Sequence, residues 1–184
     1  MTPFVPLHVH STYSLLDGSC KINPLVRRAR ALGMPALALT DHGVMFGIKA
    51  FHEACLSTKE KLFGNLPPIK PILGCEAYVA QGSHTERDPA KRYNHLILLA
   101  KNQTGYRNLV RLISIAHCEG FYRRPRIDKE LLEKYREGLI VSSACLAGEI
   151  PQHIVNGNLE QADQAALWFK ERFGADFYLE VMLH

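Results

Sequence analysis

Residues 35–43 read Pro-Ala-Leu-Ala-Leu-Thr-Asp-His-Gly (PALALTDHG), an apolar run that ends in three polar residues and a glycine. A continuous run without polar alternation suits a parallel strand covered on both faces. The segment before it suits a helix. Asn23 can cap it, Pro24 fits its first position, Leu25, Val26, Ala29 and Leu32 follow at helical spacing, and Gly33 stops it. Outward from this unit, strands are predicted over residues 4–8, 71–79, 95–100, 138–142 and 177–183, with helices over 46–61, 105–117, 128–135 and 159–173. Residues 63–71 and 81–93, rich in Pro, Gly and polar side chains, read as loops. Strand and helix thus alternate, the signature of an α/β fold built on a parallel sheet.

A chain of 184 residues with 47% hydrophobic content can bury one core, so one domain over residues 1–184 is expected. No stretch approaches the roughly 20 apolar residues needed to span a bilayer, and MTPFVPLHVH lacks a basic segment followed by a long apolar one. That pattern predicts a cytoplasmic protein without a membrane partner. The five cysteines are odd in number and form no CxxC pair, which predicts reduced thiols. A formal charge of +4 does not mark a nucleic-acid binder. The one dense basic cluster is Arg123-Arg124-Pro125-Arg126, for which a solvated loop is the ordinary reading and phosphate contact the rarer one. The chain stops at YLEVMLH, in or just after a strand. A barrel of seven or eight strands would then be one or two units short, so the chain is expected to be a piece of a longer protein.

Histidine is abundant, with nine copies. In LHVHSTYSLLDGS, residues 7–19, His8 and His10 are two apart, so on a strand they share a face with backbones about 6 to 7 Å apart. That geometry suits a metal; an isolated HxH is more often a pair of partly exposed histidines at a strand end. Asp17, before Gly18, has a turn-stabilising role as its ordinary explanation. Asp41 and His42 stand where a parallel strand ends, the place where α/β barrels build active sites. Glu76 is a carboxylate within an apolar strand and needs a cation or hydrogen-bond donors. His95 opens its apolar run instead of closing it, so a core histidine competes with a ligand there. Cys145, in VSSAC, can ligate as thiolate or fill space. Histidines 52, 84, 117 and 153 lie on helical or loop segments and read as structural. Imidazole, carboxylate and thiol together suit zinc or a related ion, and seven candidates exceed one tetrahedral shell. Clusters of two or three ions typically hydrolyse phosphate esters. No Walker loop, GxSxG elbow or GxGxxG fingerprint is present.

HVHSTYSLLDG, ALTDHG, GCEAYV, YNHLILLAKN, GYRNL and GLIVSSACLAGEI, in this order, resemble the polymerase-and-histidinol-phosphatase (PHP) domain found at the N-terminus of the alpha subunit of bacterial DNA polymerase III. The resemblance implies a distorted seven-stranded TIM-like (β/α)7 barrel, C-terminally truncated in this chain. It also implies two to three divalent ions, zinc or manganese, bound by His8, His10, Asp17, His42, Glu76, His95 and Cys145, with the catalytic water held on them. Asp41 would orient a bound imidazole; His184 and Glu180 would line the cleft. The family's late Asp-x-His pair falls beyond residue 184, so a reduced metal shell is expected of the isolated piece. Counted formally, three divalent ions exceed Asp17, Glu76, the Cys145 thiolate and that further aspartate by about +2, which attracts a phosphodiester.

Two functions follow from the resemblance. One is a metal-dependent phosphoesterase, a proofreading 3′–5′ exonuclease acting on DNA 3′ ends within a DNA-directed DNA polymerase. Its partners would be the rest of the polymerase alpha chain and other replisome subunits. The other is a metal-stabilised scaffold for the polymerase or its proofreading partner. A free-standing phosphatase of small monoesters is disfavoured, because GYRNL and EGFYRRPRID resemble the polymerase branch.

Overall fold

The structure, a computed structural model, describes residues 4–182. Two compact units divide the chain, Met1–Cys75 and Glu76–His184.

In the first unit the order is α1 (Ile22–Ala31), β1 (Ala36–Leu39), α2 (Ile48–Leu56), α3 (Glu60–Phe63) and the first half of β2 (Lys70–Ala80). Helix α1 buries Ile22, Val26, Ala29 and Arg30; the last three lie four, seven and eight residues on from the first and form one stripe. It starts one residue before the Asn23 cap read from sequence, and Gly33 ends it with φ at +69°. β1 is buried throughout and pairs in parallel with β2, Leu37 opposite Pro71 and Leu39 opposite Leu73. Arg30, 3% exposed, donates to the carbonyls of Ala54 (2.7 Å), Cys55 (2.8 Å) and Ser57 (3.0 Å) and lies over the Phe63 ring. It thereby satisfies carbonyls that the end of α2 leaves without helical partners.

The helix expected over 46–61 is two helices, because Ser57 turns to extended backbone (ψ 136°) and breaks the hydrogen-bond ladder. The strand expected over 4–8 is a further correction. Pro6 and Val9 carbonyls accept from Ala38 and Thr40, so the segment lies along β1, yet it forms no named strand. Pro6 has no N–H to donate, and the chain bends at His8.

The second unit continues β2 and adds β3 (Tyr93–Ala100), α4 (Gln103–Cys118), β4 (Phe121–Tyr122), β5 (Arg124–Ile127), α5 (Lys129–Lys134), β6 (Leu139–Ser142), α6 (Glu149–Val155), α7 (Leu159–Phe173) and β7 (Phe177–Tyr178). Its strands lie in the order β4-β5-β2-β3-β6-β7. The fold is α/β, but the sheet is mixed and not purely parallel. β2 and β5 run parallel, as do β6 and β7, whereas β3 with β6 and β4 with β5 are antiparallel. The β4–β5 hairpin was not expected; it turns on one residue, Arg123, whose φ is +62°. Helix α6 was not expected either; its Pro151 lies in the first turn, where a proline removes no helical hydrogen bond. The strand predicted over 177–183 is described only over Phe177–Tyr178, and Leu183 lies outside the described residues.

Helices α4 and α5 begin at Asn102 and Asp128, whose side chains accept from Gly105 N (3.0 Å) and Leu131 N (2.9 Å). The core gathers Leu96 to Leu99 of β3 with Leu109, Leu112, Ile127, Leu132 and Phe169. All five cysteines are free thiols. Among the described residues, no helix is long and apolar enough to cross a membrane.

Candidate functional site

Beyond β1 in the first unit, Thr40 fixes the incoming N-terminal segment. Its hydroxyl accepts from Val9 N (2.8 Å) and donates to Val9 O (3.1 Å), setting His8 and His10 on either side of that clasp. The Nε2 atoms of His8 and His10 stand 3.1 Å apart. His10 stacks on His42, ring centroids 4.0 Å apart and planes within 13°. Asp17 reaches the same group, its Oδ2 2.7 Å from His42 Nε2. The backbone N–H groups of Asp17 and Gly18 donate to Ser14 O and close the turn that carries this carboxylate. A Cβ on Gly18 would meet Ser11 O at 1.8 Å, so the loop closes this tightly only with glycine there.

Beneath these rings sits Asp41, 1% exposed. It accepts from Ser11 N (2.6 Å), Ser11 Oγ (2.8 Å) and Ser14 Oγ (2.8 Å), while Cys75 Sγ donates to its carbonyl (3.3 Å). Ser14 Oγ in turn receives His42 N (3.1 Å) and lies 3.4 Å from His10 Nδ1. Asp41 therefore acts on the imidazoles through Ser14. Ser11 and Ser14, both buried, escaped the sequence reading. Their only signal is the spacing in HSTYS, which places two hydroxyls three apart on a tight turn.

The second unit assembles a smaller set. Glu76, fully buried in β2, holds His95 Nδ1 at 2.8 Å from its Oε1, and Cys145 Sγ lies 3.8 Å from both atoms. His95 is the third residue of β3, and its N–H donates to Ala147 O (2.9 Å). This contact ties it to the loop after β6. In that loop Ala144 adopts φ +61° directly before Cys145, a conformation costly for a residue with a Cβ. Gly148 makes the loop possible, since a Cβ there would meet Ser143 O at 2.0 Å. Ser142 Oγ donates to Glu180 Oε2 (2.8 Å), which places Glu180 behind the loop; His184 lies outside the described residues.

Burial by itself would lower the His95 pKa. Contact with Cys145 and Glu76 more than reverses that and raises it to about 9. The partnership with His95 lowers the Cys145 thiol, against the opposing effect of burial. A thiol that ionises readily beside a carboxylate and an imidazole suits zinc, which takes sulfur and nitrogen donors. The three imidazoles and carboxylate of the first unit suit zinc or manganese alike.

His84, read as structural from the sequence, has acidic partners brought to it by the fold. Its Nδ1 lies 2.5 Å from Asp128 Oδ2, and Glu119 is 3.9 Å from its Nε2. The acidic neighbours arrive from residues more than 30 positions away, invisible in the local sequence.

The family described as PHP domain matches residues 6–184. A DNA polymerase III subunit alpha of Borreliella burgdorferi is 52% identical over 185 residues, an alignment covering 98% of this chain and 15% of that protein. The DNA polymerase III subunit alpha of Treponema pallidum is 48% identical, with the same coverage. The chain thus spans about 15% of the length of these relatives. Among solved structures, an amidohydrolase from Chromobacterium violaceum, with bound sulfate and no metal, matches with a TM-score of 0.40 and 24% identity. That match covers 61% of this chain and 33% of the other.

Proposed function

Because the chain belongs to the PHP domain family, we propose that it is the N-terminal PHP domain of a replicative DNA polymerase III alpha subunit and a metal-dependent phosphoesterase. Its substrate would be a DNA 3′ end, degraded in the 3′–5′ direction as a proofreading step, within a cytoplasmic polymerase chain. The observation that carries this reading is the grouping of His8, His10, Asp17 and His42 at the end of β1.

His8, His10, Asp17 and His42 would hold divalent ions in the first unit, and Glu76, His95 and Cys145 in the second. Bound ions would supply Lewis acidity toward phosphoryl oxygens and a water acidic enough to ionise near neutral pH. The rest belongs to this chain. His8 and His10 present Nε2 atoms to one point. Asp17 brings a negative charge onto His42 and favours the orientation in which Nε2 is directed at it. Asp41, through Ser11 and Ser14, fixes the turn that carries Asp17. Glu76 and Cys145 favour a proton on His95, so a cation bound there would have to compete with it.

The test uses the full-length polymerase that carries this domain, freed of any separate exonuclease. Manganese- or zinc-dependent shortening of a single-stranded oligonucleotide from its 3′ end is expected, abolished by chelator and by His8→Ala. Degradation that survives both treatments would remove the proposal. Metal-loaded protein with no nuclease activity, but with a melting temperature that chelation lowers, would establish the scaffold role instead.

A further inference from the structure

The basic run Arg123-Arg124-Pro125-Arg126 has no part in either donor set, and the hairpin gives it a shape. Residues Lys91, Arg92, Tyr93, Tyr122, Arg123 and Arg126 line a cavity of about 460 Å³ in the second unit. That volume lies within the range of roughly 300 to 1,000 Å³ typical of ligand sites. Arg92 and Arg123 are exposed at its rim, while Arg126 is 4% exposed in its wall. Arg126 is spoken for structurally: it donates to the carbonyls of Gly120 (3.2 Å), His84 (2.8 Å) and Glu86 (2.7 Å). It therefore contributes a fixed charge and holds the 81–92 loop against the hairpin. Lys91 is shared with Glu86 at 2.8 Å and lies near Asp88. Four cations less these two carboxylates leave a formal excess of +2.

Two features separate this cavity from an ordinary solvated basic loop. First, Arg123 occupies a left-handed position (φ +62°) that glycine would take at no steric cost, so a guanidinium stands at the hairpin tip against backbone preference. Second, the cations are interleaved with rings. Arg123 and Arg126 lie 5.4 and 5.3 Å from the Tyr122 centroid, and Tyr93 forms another wall. A flat aromatic surface beside cations is how proteins bind single strands without reading their sequence, rings for bases and cations for phosphates.

We propose that this cavity is a binding site for the phosphodiester backbone of single-stranded DNA, with Arg92 and Arg123 on successive phosphates and the Tyr93 and Tyr122 rings against a base. An excess of +2 matches two phosphodiester charges. Tyr93 also stacks on His95, centroids 6.3 Å apart and planes within 6°, so a strand held here leads toward the Glu76–His95–Cys145 set. That direction of travel rests on the phosphoesterase reading; the binding itself does not.

Fluorescence anisotropy of the 184-residue chain with a labelled phosphorothioate oligothymidylate reads binding whether or not the domain cleaves. Wild type should bind with an affinity that falls as salt rises. Removing both guanidiniums, Arg92→Gln with Arg123→Gly, should weaken binding several-fold. It should also flatten the log–log salt slope by about 1.4, at roughly 0.7 for each phosphate that no longer meets a guanidinium. Arg123→Gly alone should flatten it by about 0.7 while retaining the wild-type melting temperature, because glycine accepts the left-handed conformation. Tyr122→Leu should weaken binding without changing the slope. Unchanged affinity and slope in the folded arginine variants would overturn the assignment. So would displacement by inorganic phosphate at the same phosphate concentration as the oligonucleotide, which would mark a small-anion site.

Discussion

Replacing Asp41 with alanine should cost the first unit about 3 kcal/mol and, separately, loosen its hold on metal. The carboxylate is buried and accepts three hydrogen bonds, from Ser11 N at 2.6 Å and from the hydroxyls of Ser11 and Ser14 at 2.8 Å. Ser11 is itself 0% exposed, so its N–H would be left without an acceptor, a loss of about 1 to 3 kcal/mol. The hydroxyls can rotate to other partners and lose about 0.5 to 1 kcal/mol each. In a chain of this length the sum corresponds to a fall of roughly 6 to 12 °C in melting temperature. Asp41→Asn keeps an oxygen for Ser11 N and should cost only about 1 kcal/mol. Only the alanine variant releases Ser14 from its place between His10 Nδ1 and His42 N, because the oxygen that Asn keeps for Ser11 N also accepts from Ser14 Oγ; its zinc affinity should drop by about 10- to 100-fold. Urea denaturation followed by circular dichroism gives the first quantity, and zinc competition against a chromophoric chelator gives the second. An alanine variant destabilised by less than about 1 kcal/mol, with zinc affinity unchanged, would show that Asp41 neither supports the turn nor positions the imidazoles.

Two other outcomes can be checked directly. Gly148→Ala drives a Cβ to 2.0 Å from Ser143 O and should destabilise the Cys145 loop by several kcal/mol, whereas Gly157→Ala, with φ +75° and open space around it, should cost only about 1 kcal/mol; comparable melting temperatures for the two would refute the close-packing argument. In metal-free protein the His95 imidazole should titrate by NMR at about 9. Since this value is raised above the ordinary one near 6.5, the associated stability is fully present below that ordinary value. It is lost as pH rises through about 9. Cys145→Ala or Glu76→Gln should move the titration downward, and an imidazole already titrating at its ordinary value in wild type would contradict the coupling.

Particular residues show how far the sequence could be read. The β1 run and its polar end were legible because burial on both faces leaves a continuous apolar signature, and helix α7 was legible over its whole length, Leu159–Phe173, because its buried residues repeat at helical spacing. The β4–β5 hairpin was not, because two short strands around a left-handed arginine carry no periodicity. The break between α2 and α3 was hidden because the polar run 57–61 (STKEK) reads equally as the exposed face of a continuing helix.

By itself the sequence determined the chemical inventory: which imidazoles, carboxylates and thiol stand at strand ends, and that strands alternate with helices. Local pattern carries that information because each residue's solvent exposure is written in its own side chain. The tertiary structure alone decided which of them meet. His42 meets Asp17 from 25 positions away, Cys145 meets Glu76 from 69, and His84 finds Asp128 from 44. Such pairings depend on how strands register and where loops close. Contacts at Gly18 and Gly148, where no side chain fits, set that closure, and one-dimensional pattern does not encode it.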